Sequence, residues 1–414
     1  MKTAKFQDKI ALILFFLIFS PILFLLVKSF NQDTESLQYL FKNLLLDYSI
    51  NTIYLVLITS FFSLVIGVIP AWYVSNYQFE GRRIVDLILY LPLAIPTYIM
   101  AFTYSELLSF TGPFKITYDF LQIEILGILL AFSLYPYIYS VSRISFSLFG
   151  SRYYDMAKNL GLNAYQTFLK VVLPLSRPAI LSGLFLVVME VLNEYGAVKY
   201  FGVNTYTIGI FRSWNSMNDS GAAIQLSSIL LFIVAFLFFV EKYFNQNKRF
   251  SFSKNTQLTS LIKPNNSVKF LIYLICLIPI ILAFLIPVLF NFINIFSSYD
   301  DINFERLLSL TFNSFSVSLI ASILILIVST FFLYNEKISK SKVYYYINQF
   351  ISLGYSIPGA VVALAVIISV TSLDNLDDNI KLLGSFSVYF LILVYAYIIR
   401  FMAVGKSPIK SSME

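Results

Sequence analysis

Nine stretches of this chain run for 18 residues or more without a charged side chain: 10–27, 48–79, 87–105, 125–142, 220–240, 270–299, 307–335, 343–373 and 382–399. A helix needs about 20 apolar residues to cross the hydrocarbon core of a bilayer, and each charge placed at its centre costs about 2.5–3.5 kcal/mol. Runs of this length therefore predict spanning helices. A tenth apolar stretch, 178–198, is interrupted by Glu190 and Glu194 and reads as a span with a polar face. The expected fold is all-α: a polytopic transmembrane helical bundle of about ten spans. The composition agrees, being 58% hydrophobic and 12% charged, against about 45–50% and 25% for soluble domains. A water-soluble enzyme is excluded.

Lys2, Lys5 and Lys9 precede the first run, as in a secretory signal. Its apolar core exceeds that of a signal peptide and no small-x-small cleavage site follows, so a retained span is expected. With the N-terminus inside and sides alternating, 22 of the 29 Lys and Arg fall on the inner face. That is the positive-inside pattern of a cytoplasmic N-terminus. Of the 22 Asp and Glu, 13 fall outside, 7 inside and 2 within the fifth span. The formal charge of +7 is thus topological, and no nucleic-acid partner is expected. The chain has no His, which removes histidine bases, nucleophiles and metal ligands, and its one thiol, Cys276, has no disulfide partner. No catalytic residue, metal ligand or bound cofactor is expected of it. No Gly-rich phosphate loop of the GxxxxGK[ST] type occurs, so any ATP must be hydrolysed by a separate chain.

The sequence also repeats. Asn51, Leu57, Ile58, Ser60, Ile95 and Pro96 fall, at an offset of 262, on Asn313, Leu319, Ile320, Ser322, Ile357 and Pro358. At an offset of 260, Tyr135, Tyr137 and Ile138 fall on Tyr395, Tyr397 and Ile398. Because six spans precede the second copy, both copies start from the same side and the repeat is parallel. The expected organisation is a first half at 1–245, a polar cytoplasmic linker at 246–268, and a second half at 269–414. The second copy stops opposite 152–154 of the first, which predicts a C-terminally incomplete half that lacks a further cytoplasmic loop and two spans.

Between the fourth and fifth spans lies the loop 152–177. Ala157, Leu160, Ala164, Phe168 and Val171 recur at spacings of three and four, one face of a helical pair broken at Gly161 and lying on the cytoplasmic surface. Pro174 and Pro178 are expected to end that pair and start the next span. Such a stripe needs a membrane or a protein to cover it. The pattern Asp155-x-Ala157-x3-Gly161-x9-Val171-x-Leu173-Pro174 resembles the EAA loop of ABC transporter permeases, Glu-Ala-Ala-x3-Gly-x9-Ile-x-Leu-Pro. Asp155, Met156 and Val171 are departures within that pattern. The resemblance implies a MetI-like bundle whose loop docks on a separate ATP-binding-cassette ATPase, with Asp155, Ala157 and Gly161 at the docking face and Val171, Leu173 and Pro174 leading back into the membrane.

Four further stretches extend the resemblance to fused, two-half permeases of the iron(III) type: 91–96, 134–139, 190–214 with Tyr200-Phe201-Gly202-Val203, and 354–359. That family implies a bacterial inner-membrane importer fed by a periplasmic binding protein, with iron(III) as cargo and thiamine, a polyamine or an oxyanion as alternatives. A secondary transporter with parallel repeats would share the topology but not the loop. Glu190, Asn193 and Glu194 stand at i, i+3 and i+4 and share a face of the fifth span if the helix runs through them. Ionisable groups in a span are suspects for a transport pathway, though bonds between helices or closeness to the outer interface would also account for them. Arg143, at the inner end of the fourth span, is expected to snorkel to the headgroups.

Overall fold

A computed structural model describes residues 2–31, 34–110, 112–115, 120–245, 261–299, 302–339, 342–351, 354–374 and 386–413. Helices follow one another along the chain: α1 (Lys2–Ser29), α2 (Thr34–Asn43), α3 (Leu45–Asn76), α4 (Arg82–Ile88), α5 (Thr97–Leu108) and α6 (Ile123–Asn159). Then come α7 (Ala164–Thr167), α8 (Leu173–Asn193), α9 (Gly196–Phe201), α10 (Tyr206–Asn215) and α11 (Ser220–Asn245). The remainder comprises α12 (Asn266–Ile280), α13 (Ile286–Ser297), α14 (Phe304–Ser339), α15 (Lys342–Ile351), α16 (Gly359–Asp374) and α17 (Phe386–Met413). Only helices satisfy every backbone group within one segment in lipid. Among the described residues eight helices are long and apolar enough to cross a bilayer, or ten if two bent pairs each count as one span.

Those two pairs resolve the runs 87–105 and 343–373, each read as one span, into two helices that meet at a bend. Arg82–Ala94 meets Thr97–Leu108 at 90°, and Val343–Ser356 meets Gly359–Asp374 at 109°. In the first, a 3-10 turn at Leu91–Ala94 gives way to extended Ile95, at φ −97 and ψ 117, before Pro96 caps α5. Proline excludes its predecessor from the α region and donates no N–H, so the Ile-Pro pair breaks the helix. The second pair repeats the arrangement, with a 3-10 turn at Gly354–Ser356, then Ile357 and Pro358 ahead of α16. The series of long helix, short helix, 3-10 turn, bend and long helix thus occurs twice, over α3–α6 and α14–α17.

The chain forms two compact units that exchange parts of the sequence halves. One comprises residues 46–208 and 239–299, the other 1–45, 209–238 and 300–414. In the first unit, α12 packs on α4 and α13 on α5, while the turn between them meets α6. Tyr104 Oη donates to the Leu282 carbonyl at 2.5 Å, and Asn291 Nδ2 donates to Thr103 Oγ1 at 2.8 Å. Lys269 Nζ donates to Glu80 at 2.9 Å, and this hydrogen bond, with the lysine's charge, holds the Glu80 carboxyl below the ordinary carboxylate range. Exposed pairs of this kind contribute little. In the other unit, α1 packs on α14, α15, α16 and α17, and Tyr395 Oη donates to the Leu17 carbonyl. Of the stretch read as a linker, 246–260 lies outside the described residues, and Ile262 bridges to Tyr77.

Small residues bring the helices of the first unit together, as expected where lipid leaves no hydrophobic drive between helices. A Cβ on Gly67 of α3 would lie 3.0 Å from the Tyr135 carbonyl oxygen of α6, and one on Gly183 of α8 would lie 2.9 Å from the Ile138 Cα. We expect Gly183→Leu to destabilise this unit by about 1–3 kcal/mol through overpacking. Thermal unfolding in detergent reads the effect, and an unshifted Tm would contradict the close α6–α8 contact.

Candidate functional site

The loop at 152–177 is the tip of a helical hairpin. The charge-free run of α6 ends at Ser142, and the helix continues to Asn159, about 25 Å further at 1.5 Å per residue. A Schellman turn then closes it: the Leu162 N–H donates to the Ala157 carbonyl at 3.0 Å across Gly161, which sits at φ 80. The return helix starts with a reciprocal cap. Asn163 Oδ1 accepts from the Gln166 N–H at 2.8 Å, and Gln166 Oε1 accepts from the Asn163 N–H at 3.3 Å. Asn-x-x-Gln is a readable form of the capping box, and the sequence reading overlooked it.

Helix α7 then runs through a π turn at Phe168–Val172 directly into α8. Pro174 therefore does not end a surface helix, contrary to expectation. It lies in the first turn of α8, behind a π turn closed by the Leu173 N–H on the Phe168 carbonyl, and the helix runs on to Asn193. A wider turn accommodates the proline ring and its missing donor without breaking the helix. The second π turn, Ile281–Leu285, precedes Ile286-Pro287 in the same way.

The expected apolar face divides. Ala157 is buried, and Phe168 stacks on Trp72 at 4.9 Å and on Phe146 at 6.0 Å, anchoring the return helix to α3 and α6. Val171 is half-buried beside fully buried Val172. Leu160 instead is 81% exposed at the tip, alongside exposed Met156 and Tyr165. Asp155 lies on the outer end of α6, and its side chain is outside the described part, as is that of Ala164. The motif residues thus separate into a half-buried root at Val171, Leu173 and Pro174 and an apolar tip around Gly161.

At the other end of α8, the fifth span stops at Asn193, short of the expected 198. Glu194 is extended at φ −67 and ψ 126, so it leaves the face shared by Glu190 and Asn193. Its Oε2 accepts from Thr97 Oγ1 at 2.6 Å, its Oε1 from the Ala197 N–H at 2.9 Å, and its carbonyl from Thr207 Oγ1 at 2.8 Å. One residue thereby joins the end of α8 to the starts of α5, α9 and α10. Glu190 and Asn193 are half-buried.

Arg143 has a protein partner at the inner end of α6. It pairs with Asp86 of α4 at 2.9 Å, a partner 57 residues away that spacing could not disclose.

A Cβ at position 161 would meet nothing within 4 Å, so the backbone conformation, not crowding, calls for glycine there. We expect Gly161→Ala to loosen the turn by about 1–2 kcal/mol and Gly161→Asn, which tolerates the left-handed region, by less. Hydrogen exchange at the Leu162 amide checks this, and equal protection in both variants would contradict the turn assigned.

Comparison with known proteins matches residues 63–250 to the family described as binding-protein-dependent transport system inner membrane component, a segment that contains the hairpin loop. The sulfate transport system permease protein CysT of Escherichia coli is 32% identical over 156 residues, 36% of this chain and 55% of its own length. A probable sulfate transport system permease of Chlorokybus atmophyticus is 26% identical over 242 residues, 55% of this chain and 83% of its own. The Fe(3+)-transport system permease protein FbpB 2 of Haemophilus influenzae is 23% identical over 402 residues, 95% of this chain and 76% of its own. The chain thus spans about half the length of the sulfate permease from Escherichia coli. Residues 63–250 are thus similar to the binding-protein-dependent inner membrane components of transport systems, and the relatives named are transport permeases.

Proposed function

We propose that the chain is the membrane-spanning subunit of an ATP-binding-cassette importer in a bacterial inner membrane, with its N-terminus in the cytoplasm. The observation that carries this is the hairpin tip: an apolar surface at Met156, Leu160 and Tyr165 held well clear of the span by a Schellman turn on a family motif. Single exposed apolar residues are ordinary, but three of them about the turn between two helices, beyond the charge-free run, offer a surface to a protein. An ATPase on that side would push on the tip, and the continuous helices α6 and α8 would carry the movement into the membrane. The 22 Lys and Arg of the inner face support the same orientation, and the acidic outer loops offer a periplasmic binding protein its docking ground. ATP is then bound and hydrolysed by the partner subunits, and this chain holds no cofactor.

We take iron(III) as the cargo, because the relative aligned over 95% of the chain is named for Fe(3+) transport. Sulfate is the second reading, favoured by the higher identity of the sulfate permeases over the segment they share with this chain. Uptake of labelled iron(III) and labelled sulfate by cells lacking their own systems separates the two. Saturable import of sulfate alone would overturn the iron assignment.

The docking reading has its own test. Leu160→Asp changes a largely exposed side chain, so protein level is expected to hold while capture of the ATPase subunit weakens about tenfold or more. Unchanged capture and uptake would overturn the coupling role of the loop.

A further inference from the structure

The stem of the hairpin carries a charged cluster that the loop motif does not include. The Asp86 carboxylate of α4 accepts from Arg143 Nη2 at 2.9 Å and from Nε at 3.2 Å to both oxygens. Tyr139 Oη, a turn earlier on α6, donates to the same carboxylate at 2.6 Å. Ser75 Oγ, at the end of α3, donates to the Arg143 carbonyl at 3.1 Å. Forked, charge-assisted contacts fix orientation as well as distance, and with side chains 20% and 25% exposed the pair is shielded from much of the solvent screening. It sits beside the cluster of Trp72, Phe146 and Phe168 that roots the return helix.

The pair therefore joins two arms. Helix α6 carries the hairpin tip, and α4 begins the span that bends by 90° at Pro96. The other unit makes the corresponding link: Lys406 Nζ of α17 donates to the Asn348 carbonyl of α15, where α15 begins the span bent by 109°. Asn348 stands 262 residues after Asp86, the offset of the repeat there, and Lys406 stands about one helical turn beyond Ala403, the position that the 260 offset of α6 on α17 matches to Arg143. Two different chemistries thus hold the same joint in the two units. Asn348 is further held by its Nδ2 on Glu336 Oε2 at 2.6 Å.

We infer that Asp86 and Arg143 are positioning residues that make the bent span follow the coupling hairpin, and that Asn348 and Lys406 are the corresponding latch of the other unit. This rests on the coupling reading above. A pair that served stability alone would not need to recur at the one point where the loop-bearing helix meets the bent span.

The test uses the whole transporter with its ATPase and binding protein in proteoliposomes, supplied with labelled iron(III) and labelled sulfate together. In D86N and R143Q, ATP hydrolysed per cargo imported is expected to rise about tenfold, with protein level and ATPase capture unchanged. In D86R/R143D the exchanged charges can pair again, and the ratio is expected to return to within about threefold of the parent. An unchanged ratio in the single variants, or uptake that falls only in step with protein level, overturns the inference. Loss of ATPase capture by Leu160→Asp beside a normal ratio in D86N would sink the latch alone, whereas normal capture and uptake in Leu160→Asp would sink the coupling reading itself.

Discussion

Hydrocarbon offers no partner to a backbone N–H or C=O, so a chain crossing it must satisfy each group within its own helix or against protein. The structure departs from regular helix at a few identifiable places, and prolines mark several of them. Pro96 and Pro358 stand at the 90° and 109° bends, and Pro174 and Pro287 each follow a π turn. These are two physical answers to the same missing donor. Where extended Ile95 precedes the proline, the helix breaks and changes direction. Where the preceding residue stays helical, the turn widens and the axis continues. The first answer makes an elbow, while the second lets α7 and α8 act as one rod from the hairpin tip into the span.

That difference bears on what the loop can transmit. A surface helix ended by Pro174 would leave a hinge between tip and membrane, and a push on it would be absorbed locally. The π turn instead keeps a continuous hydrogen-bonded path from Asn163 to Asn193, with Phe168 stacked on Trp72 and Phe146 beside it. The glycine at 161 fits the same scheme. Its surroundings are open, so it serves to turn the chain within three residues and present a bare tip between two stiff helices.

Much of this was legible in the sequence, because the strongest signals were local. Charge-free runs located the spanning segments, the motif located the hairpin, and the offset of 262 put Ile95-Pro96 over Ile357-Pro358, the two points that bend. Legibility failed where a partner lies far along the chain. Arg143 showed no partner in the sequence because Asp86 is 57 positions away on another helix. Glu194 looked like part of a helical face because only tertiary contacts to Thr97 and Thr207 show the helix has already ended. The grouping of α1 with α14–α17, and of α12 and α13 with α4–α6, was also hidden. An apolar helix carries no hydrophobic preference between lipid and neighbour, so its partner is set by small residues and a few hydrogen bonds such as Asn291 to Thr103.

The exchange of first helices has a mechanical consequence that the two sequence halves by themselves would not have. Each compact unit contains spans drawn from both halves, so neither half can reorganise without strain on a helix covalently tied to the other. Helix α12 is held at Glu80 by Lys269 and by Tyr273, whose hydroxyl donates to the Glu80 carbonyl at 2.9 Å, beside the short helix that carries Asp86. A displacement of α4 would therefore act on both the bent span ahead of it and the exchanged helix behind it. The Asp86–Arg143 pair lies at the meeting point of these elements, which is why a contact of modest individual energy is placed to govern how far a movement of the hairpin travels.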